Sequence, residues 1–289
     1  MKLNPKFMSG AYLINKGAGA TSRYVDNYFL KTFGFRKVGH LGTLDPFATG
    51  LLVIFVNEAT KVIPLFEGLN KTYIATLKLG ISTDSGDCDG QIIGTKDIPY
   101  IDCSLIIQLF NSMLGKNEQI PPMYSAIKRD GVALYKLARE GKMIERQPRE
   151  FIIHNLELLT FQDSVIRFRV SVSKGTYIRT LGEDIAKALG TIGHLIGLER
   201  VAVGKFMIDD SSVLEDTKIE NILEIPDLFR EFAQYEIRSD DEFRRVRNAS
   251  TLDIDSDSEY VLVLRKKEPV AVYKRINGSY VFLRGFSSL

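Results

Sequence analysis

Residues 37–54, K-V-G-H-L-G-T-L-D-P-F-A-T-G-L-L-V-I, constrain this chain more than any other stretch. Gly39, Gly42 and Gly50 allow backbone angles and close approaches that a side chain forbids. Pro46 fixes its own φ and biases Asp45 toward an extended or turn conformation, so no helix runs through this point. The apolar run at 51–56 then reads as a buried strand. One carboxylate, Asp45, is thereby held on a stiff loop beside the core, where burial and neighbouring charges tune its acidity. An Asp-Pro pair also caps turns, and the local pattern alone leaves both roles open.

The chain has 289 residues, room for one large domain and a small one, and its 45% hydrophobic content supports a core. It contains no apolar run of membrane-spanning length, and its start lacks the apolar centre of a signal peptide. Cys88 and Cys103 form no C-x-x-C pair and suggest no disulfide framework, so a reducing cytoplasm is the expected setting. The net charge is only +2, so any nucleic-acid surface has to be a local basic patch. There is no phosphate-loop or dinucleotide fingerprint. The acidic turn at 83–90 fails the EF-hand register, because Lys96 falls where the twelfth-position Glu is needed. No metal or other cofactor is expected.

Residues 10–16 read as a strand, and Thr21 or Ser22 as the N-cap of a helix that runs to about Phe33 and stops at Gly34. Residues 71–79 alternate, with Tyr73, Ala75, Leu77 and Leu79 on one face of a half-buried strand. Asp102 caps a helix over 104–114. Residues 165–173 alternate with Ile166, Phe168, Val170 and Val172 inward, and a helix carrying Leu181, Ile185 and Leu189 follows. Residues 128–149 hold seven basic and three acidic side chains, interleaved with tyrosine. That composition suits RNA contact, and it equally suits an ordinary charged helix. Residues 207–228 hold seven carboxylates against Lys218 alone and read as a solvated connector with one short helix. Strand-like runs at 260–264, 270–273 and 279–283 follow, the last two joined by Asn277-Gly278.

The string G-H-L-G-T-L-D-P-F-A-T-G-L-L at 39–52 resembles, without a gap, the catalytic motif G-H-x-G-x-L-D-P-x-A-x-G-x-L of the TruB-type tRNA pseudouridine synthases. These enzymes convert uridine 55 in the T loop of tRNA to pseudouridine. Other segments resemble that family in order. Residues 16–22 match K-P-x-G-x-T-S with Gly17 in place of proline, and residues 71–73 match K-x-Y. Residues 83–90 match T-D-x-x-D-x-x-G, and 121–141 match P-P-x-Y-S-A-x-K followed by G-x-x-x-Y-x-L-A-R-x-G. Residues 174–181 match K-G-x-Y-I-R-[TS]-L. Residues 194–200 match H-x-x-x-L-R-R with Glu199 in place of the first arginine.

The resemblance implies an α/β (α+β) fold: a pseudouridine synthase core with a mixed, mainly antiparallel sheet over residues 1–228, a basic arm inserted at about 119–150, and a small PUA-like β-barrel at 229–289. It implies Asp45 as the catalytic residue, with Arg179 paired to it and Asp87 helping to hold the architecture. It implies His40 in the space vacated by a flipped base, Tyr73 stacked on the target base, Tyr177 lining the uracil pocket and Leu198 packed on the uracil. Lys128, Arg129, Tyr135, Arg139 and Arg146 of the arm would grip the RNA. The expected partner is the T-arm of tRNA, bound by a monomer with no guide RNA, no cofactor and no membrane. The alternatives are a non-catalytic tRNA-binding or tRNA-folding protein, and a pseudouridine synthase for another RNA.

Overall fold

In a computed structural model of the chain, β3 (Thr49–Val56) explains why the apolar run at 51–56 is unbroken. Leu52, Ile54 and Val56 face one hydrophobic cluster, while Leu51, Val53 and Phe55 face another. A strand covered on both sides loses the polar alternation of a half-exposed one. Each such side chain taken out of water contributes roughly 1.5–3 kcal/mol. The structure describes residues 4–125, 128–129, 131–141 and 144–286, without the side chains of 128, 129, 132, 133, 135, 136 and 139.

The main sheet contains β1 (Gly10–Lys16), β2 (Val38–Leu41), β3, β4 (Lys71–Leu79), β5 (Gly115–Gln119), β6 (Arg149–Gln162), β7 (Val165–Val172) and β8 (Gly193–Val203). Its central order is β1-β3-β8-β4-β7-β6-β5, with β2 paired to β3. Most pairs are antiparallel. The β8–β3 pair is parallel, as is the short strand Ser212–Val213 beside β1. The sheet is therefore mixed and mainly antiparallel, as expected. β4 follows its sequence alternation, burying Tyr73, Ala75, Leu77 and Leu79. The same face buries Lys71, which the hydropathy pattern does not announce.

Three helices cover one side. In α1 (Ser22–Tyr28) the Thr21 hydroxyl accepts from Tyr24 N–H, so Thr21 is the N-cap. The segment then widens into a π turn, Phe29–Phe33, before Gly34 at φ 78°. A packed set of rings, Tyr12, Phe29, Phe33 and Phe35, occupies that turn. α2 (Cys103–Ser112) is capped by Asp102, whose carboxylate accepts from Leu105 N–H at 2.8 Å. α3 (Ile178–Ala188) packs Ile178, Leu181 and Ile185 on the sheet.

One expectation is corrected. Residues 207–228 are more than a solvated connector: Leu214, Ile225 and Leu228 are buried, and residues 212–213 and 223–224 pair with β1. The carboxylates point outward while the intervening apolar residues anchor the segment. The C-terminal strands β9 (Ala233–Glu236), β10 (Tyr260–Arg265), β11 (Glu268–Ile276) and β12 (Ser279–Gly285) form a separate four-stranded sheet in chain order. No pairing closes it into a barrel among the described residues. Its outer strands end on β9, which runs parallel to β10, and on β12, which gains only a single bridge between Leu252 and Tyr280. Leu262, Leu264 and Val272 of this sheet belong to the same buried cluster as Leu51, Val53 and Phe55 of β3.

Candidate active site

β2 and β3 pair as a hairpin, His40 opposite Ile54 and Leu41 opposite Val53, so the glycine-rich stretch is the tip of a hairpin rather than a free loop. Main-chain carbonyls and amides of this tip are held from three directions. The Ser22 hydroxyl accepts from Leu44 N–H at 2.9 Å and donates to Leu44 O at 3.2 Å. Pro46 O accepts from Gly19 N–H at 2.8 Å and from Lys16 Nζ at 3.3 Å, and Lys16 Nζ also donates to Gly17 O and Ala20 O. Arg200, 1% exposed, donates Nε–H to Leu51 O at 2.8 Å and Nη2–H to Gly42 O at 2.9 Å. Gly50 sits at φ 96° against the Arg200 backbone, where a Cβ would lie 2.4 Å from the Arg200 carbonyl oxygen. Only glycine fits both the angle and the space.

The tip presents Asp45 to Arg179, in the first turn of α3. Arg179 Nε donates to Asp45 Oδ2 at 2.9 Å and Nη2 to Asp45 Oδ1 at 3.2 Å. The two-pronged geometry fixes the carboxylate plane as well as its charge. The guanidinium is otherwise satisfied by Ser85 O at 2.8 Å and Tyr124 O at 2.7 Å. Asp87 Oδ2 lies 3.6 Å from Arg179 Nε, while Asp87 Oδ1 accepts from Ser85 Oγ and Asp89 N–H. Arg179 is buried, whereas the Asp45 side chain keeps 35% exposure. The carboxylate thus has a held edge and an open edge.

Burial pushes the Asp45 carboxyl above its ordinary value; Arg179 and Lys16 oppose that rise and Asp87 adds to it. Burial also pulls the Lys16 ammonium down to about 8, with Asp45 opposing and Arg200 adding. Lys71, which donates to Glu67 O and Leu69 O, falls to about 8 through burial and the nearby Arg200. Burial raises the Tyr177 phenol. The proton affinity of this carboxylate is set by burial against the charges of Arg179, Asp87 and Lys16.

The other expected residues fall into groups. Tyr73 and Leu198 are buried in one apolar cluster with Leu44, Phe47 and Ile178, beside the tip. The Tyr177 backbone is bracketed by Gln119, whose Oε1 accepts from Tyr177 N–H at 2.6 Å and whose Nε2 donates to Tyr177 O at 3.4 Å. His40 is not bonded to Asp45. Its Nδ1 lies 3.0 Å from both oxygens of the buried Asp26 carboxylate, and its Nε2 3.1 Å from Thr43 Oγ1. A carboxylate only accepts, so Nδ1 carries a proton and donates to Asp26. Arg146 Nη1 donates to Pro121 O at 3.0 Å, joining the two ends of the insertion. The side chains of Lys128, Arg129, Tyr135 and Arg139 lie outside the described residues. His194 has a structural place, donating Nδ1–H to Ile81 O at 2.9 Å.

Sequence reasoning did not single out Lys16, Ser22, Gln119 or Arg200 as parts of this site. Each acts on backbone atoms of another segment, and such partners leave no local pattern. The available signal was charge at buried strand positions: Lys16 ends β1 and Arg200 lies on β8 between Glu199 and Val201.

The family model described as TruB family pseudouridylate synthase (N terminal domain) matches residues 30–178. The chain is similar to a protein of Hydrogenovibrio crunogenus named tRNA pseudouridine synthase B, 47% identical over 212 residues, 73% of this chain and 70% of the relative. A protein of the same name from Francisella tularensis is 42% identical over 256 residues, 85% of each chain. Among solved structures, one of a Cbf5-Nop10-Gar1 complex covers 98% of this chain and 85% of the matched chain with a TM-score of 0.72 at 23% identity, a likeness of fold. The chain belongs to the TruB family of pseudouridylate synthases.

Proposed function

We propose that this protein isomerises uridine 55 in the T loop of tRNA to pseudouridine. The observation that carries the reading is the Arg179–Asp45 fork on the tip of the β2–β3 hairpin, in a chain whose relatives are named tRNA pseudouridine synthase B. The target base is flipped out of the RNA, at a cost of a few kcal/mol. Tyr73 and Leu198 receive it, Tyr177 lines its pocket and His40 fills the gap it leaves. Asp45, ionised and oriented by Arg179, acts at the sugar. It either adds to C1′ as the N1–C1′ bond breaks and is displaced when C5 bonds to C1′, or takes the C2′ proton as the N1–C1′ bond breaks to give a glycal and returns that proton to C2′ when C5 bonds to C1′. The uracil turns and rejoins through C5; C5 loses a proton and N1 gains one, so the reaction is redox-neutral.

Residues 1–228 serve as the catalytic domain and 229–289 as an RNA-binding domain. The insertion at about 119–150 grips RNA through Lys128, Arg129, Tyr135, Arg139 and Arg146. The enzyme works as a cytoplasmic monomer without a guide RNA. Among the described residues no helix is long and apolar enough to cross a membrane.

The test is to incubate purified protein with an unmodified tRNA transcript, without cofactor or guide RNA, and map pseudouridine by carbodiimide labelling and primer extension. The expected result is one new stop reporting position 55, absent with Asp45→Asn although that variant still binds tRNA. A stop elsewhere overturns the substrate. Binding without any stop overturns the enzyme and favours a tRNA-folding role.

A further inference from the structure

The inward stripe of α1 carries one charge. Ser22, Val25 and Asp26 are its buried residues, and Phe29 continues the stripe into the π turn. An ionised carboxylate at such a position is costly unless it is paired. The Asp26 side chain, 2% exposed, has two partners among the described residues. Arg23 Nη1 lies 3.5 Å from Oδ2 on a side chain that is 70% exposed, a contact that water screens. His40 Nδ1 lies 3.0 Å from both oxygens. The buried carboxylate therefore serves one imidazole. Packing does not ask for it: the inward neighbours are Val25 and Phe29, and an apolar side chain would suit the stripe as well.

The place of that imidazole gives the contact its consequence. Ser22 and Asp26 are four residues apart on one helix face. Ser22 bonds the N–H and C=O of Leu44 while Asp26 bonds His40, so α1 holds the hairpin tip on both sides of Gly42 and Thr43. The other ring nitrogen, Nε2, lies 3.1 Å from the Oγ1 of Thr43, an exposed residue two positions before Asp45. One edge of the ring is thus fixed inside the protein, and the other rests on an exposed hydroxyl of the tip.

We propose that Asp26 is a positioning residue for the reaction at Asp45: by accepting Nδ1–H it keeps the His40 ring turned to the hairpin tip, in place for the gap that a departing base leaves in the RNA. The inference rests on the role of His40 in the function proposed above and names the group that sets that role. Thr43 alone does not orient the ring, because a hydroxyl both donates and accepts and so takes either nitrogen. A carboxylate only accepts, and its bond from Nδ1–H decides which nitrogen faces the tip. Without that hold the imidazole is ordered only when RNA binds, and the lost side-chain freedom weakens the flipped complex.

The test uses the full-length protein and a T-arm hairpin with 2-aminopurine beside the target uridine, whose fluorescence on titration reports binding and flipping. Pseudouridine mapping gives kcat/KM. Asp26→Leu should lower the flipping signal and kcat/KM about fivefold, at a temperature where both proteins are folded. Asp26→Asn keeps an oxygen for Nδ1–H and should recover most of that loss. In a His40→Ala background, Asp26→Leu should add nothing to either readout. The His40 Nδ1–H proton, assigned by its absence in His40→Ala, should be seen by NMR in wild type and lost in Asp26→Leu. Asp26→Ala carries the same comparisons where leucine does not fit. Full activity with Asp26→Leu, the same further loss in the His40→Ala background, or no recovery with Asp26→Asn would overturn the proposal. If wild type binds the hairpin yet forms no pseudouridine, the enzymatic reading fails, while the ring proton and the titrations still test the link from Asp26 to His40.

Discussion

Arg179 grips both oxygens of Asp45, at 2.9 and 3.2 Å, while the same guanidinium donates to the carbonyls of Ser85 and Tyr124. One buried cation thus joins the hairpin tip, the acidic turn and the root of the insertion. Its loss orphans two carbonyls and leaves the carboxylate without its counter-charge. Arg179→Met should lower the single-turnover rate by about 10²-fold or more and cost about 3–5 kcal/mol of folding stability in urea titrations. Arg179→Lys keeps the charge but not the fork, so it should recover stability more than rate. Equal recovery of both would mean that charge alone suffices.

Two glycines near the site should respond in opposite ways. At Gly50 a Cβ meets the Arg200 backbone at 2.4 Å and φ is 96°, so Gly50→Ala should cost about 2–4 kcal/mol from overlap and strain. Gly17, where the family has proline, has nothing within 4 Å of a would-be Cβ and no positive φ. Gly17→Ala should therefore gain about 0.4–1 kcal/mol by restricting the unfolded chain. Thermal unfolding of the two variants side by side checks both signs.

The legible parts of this molecule were those with a period or a fixed local chemistry. The alternation of β4, the Thr21 and Asp102 caps and the apolar run of β3 follow from rules that act within a few residues. Asp45 and Arg179 are 134 positions apart, and no propensity links them; family resemblance supplied the pair. Lys16 and Arg200 stayed hidden because a buried cation bonded to carbonyls reads, in sequence, like any surface cation. The C-terminal strands were legible as apolar runs bounded by turn residues, whereas whether the first and last strands of a sheet meet depends on tertiary placement, which no local pattern specifies.

Gln119 should matter through backbone alone. It holds both the N–H and the C=O of Tyr177, one residue before α3 begins. Gln119→Leu leaves the Tyr177 N–H unpaired at about 1–3 kcal/mol, while Tyr177 O keeps the bond from Leu181 N–H at 3.1 Å, and it lets the start of α3, with Arg179, drift. A positioning defect of this kind should lower kcat more than it raises KM. Gln119→Glu retains an acceptor for the shorter, 2.6 Å bond and should recover most of kcat. No recovery with Glu would assign the effect to packing instead.

The last prediction separates activity from stability by pH. Catalysis requires ionised Asp45, and burial holds that carboxyl above its ordinary value, so turnover should be lost as pH falls through a pKa higher than that of a free aspartate. On the alkaline side Lys16 releases its proton near pH 8. A neutral amine has two N–H groups for the three carbonyls of Gly17, Ala20 and Pro46, and it no longer supports the charge on Asp45, so kcat/KM should fall above about pH 8. Lys71 titrates in the same range but serves two carbonyls, which a neutral amine still satisfies. Stability moves the other way. Both lysines have depressed values in the folded state, so between about 8 and the ordinary 10.5 the unfolded chain binds more protons. Their contribution to stability therefore rises with pH across that window. Lys71→Met should keep the alkaline limb of activity, and Lys16→Met should be slower at every pH but flat above about 8. Rate profiles and urea midpoints measured on the same samples decide it. An unchanged limb in Lys16→Met would show that another group controls the alkaline side.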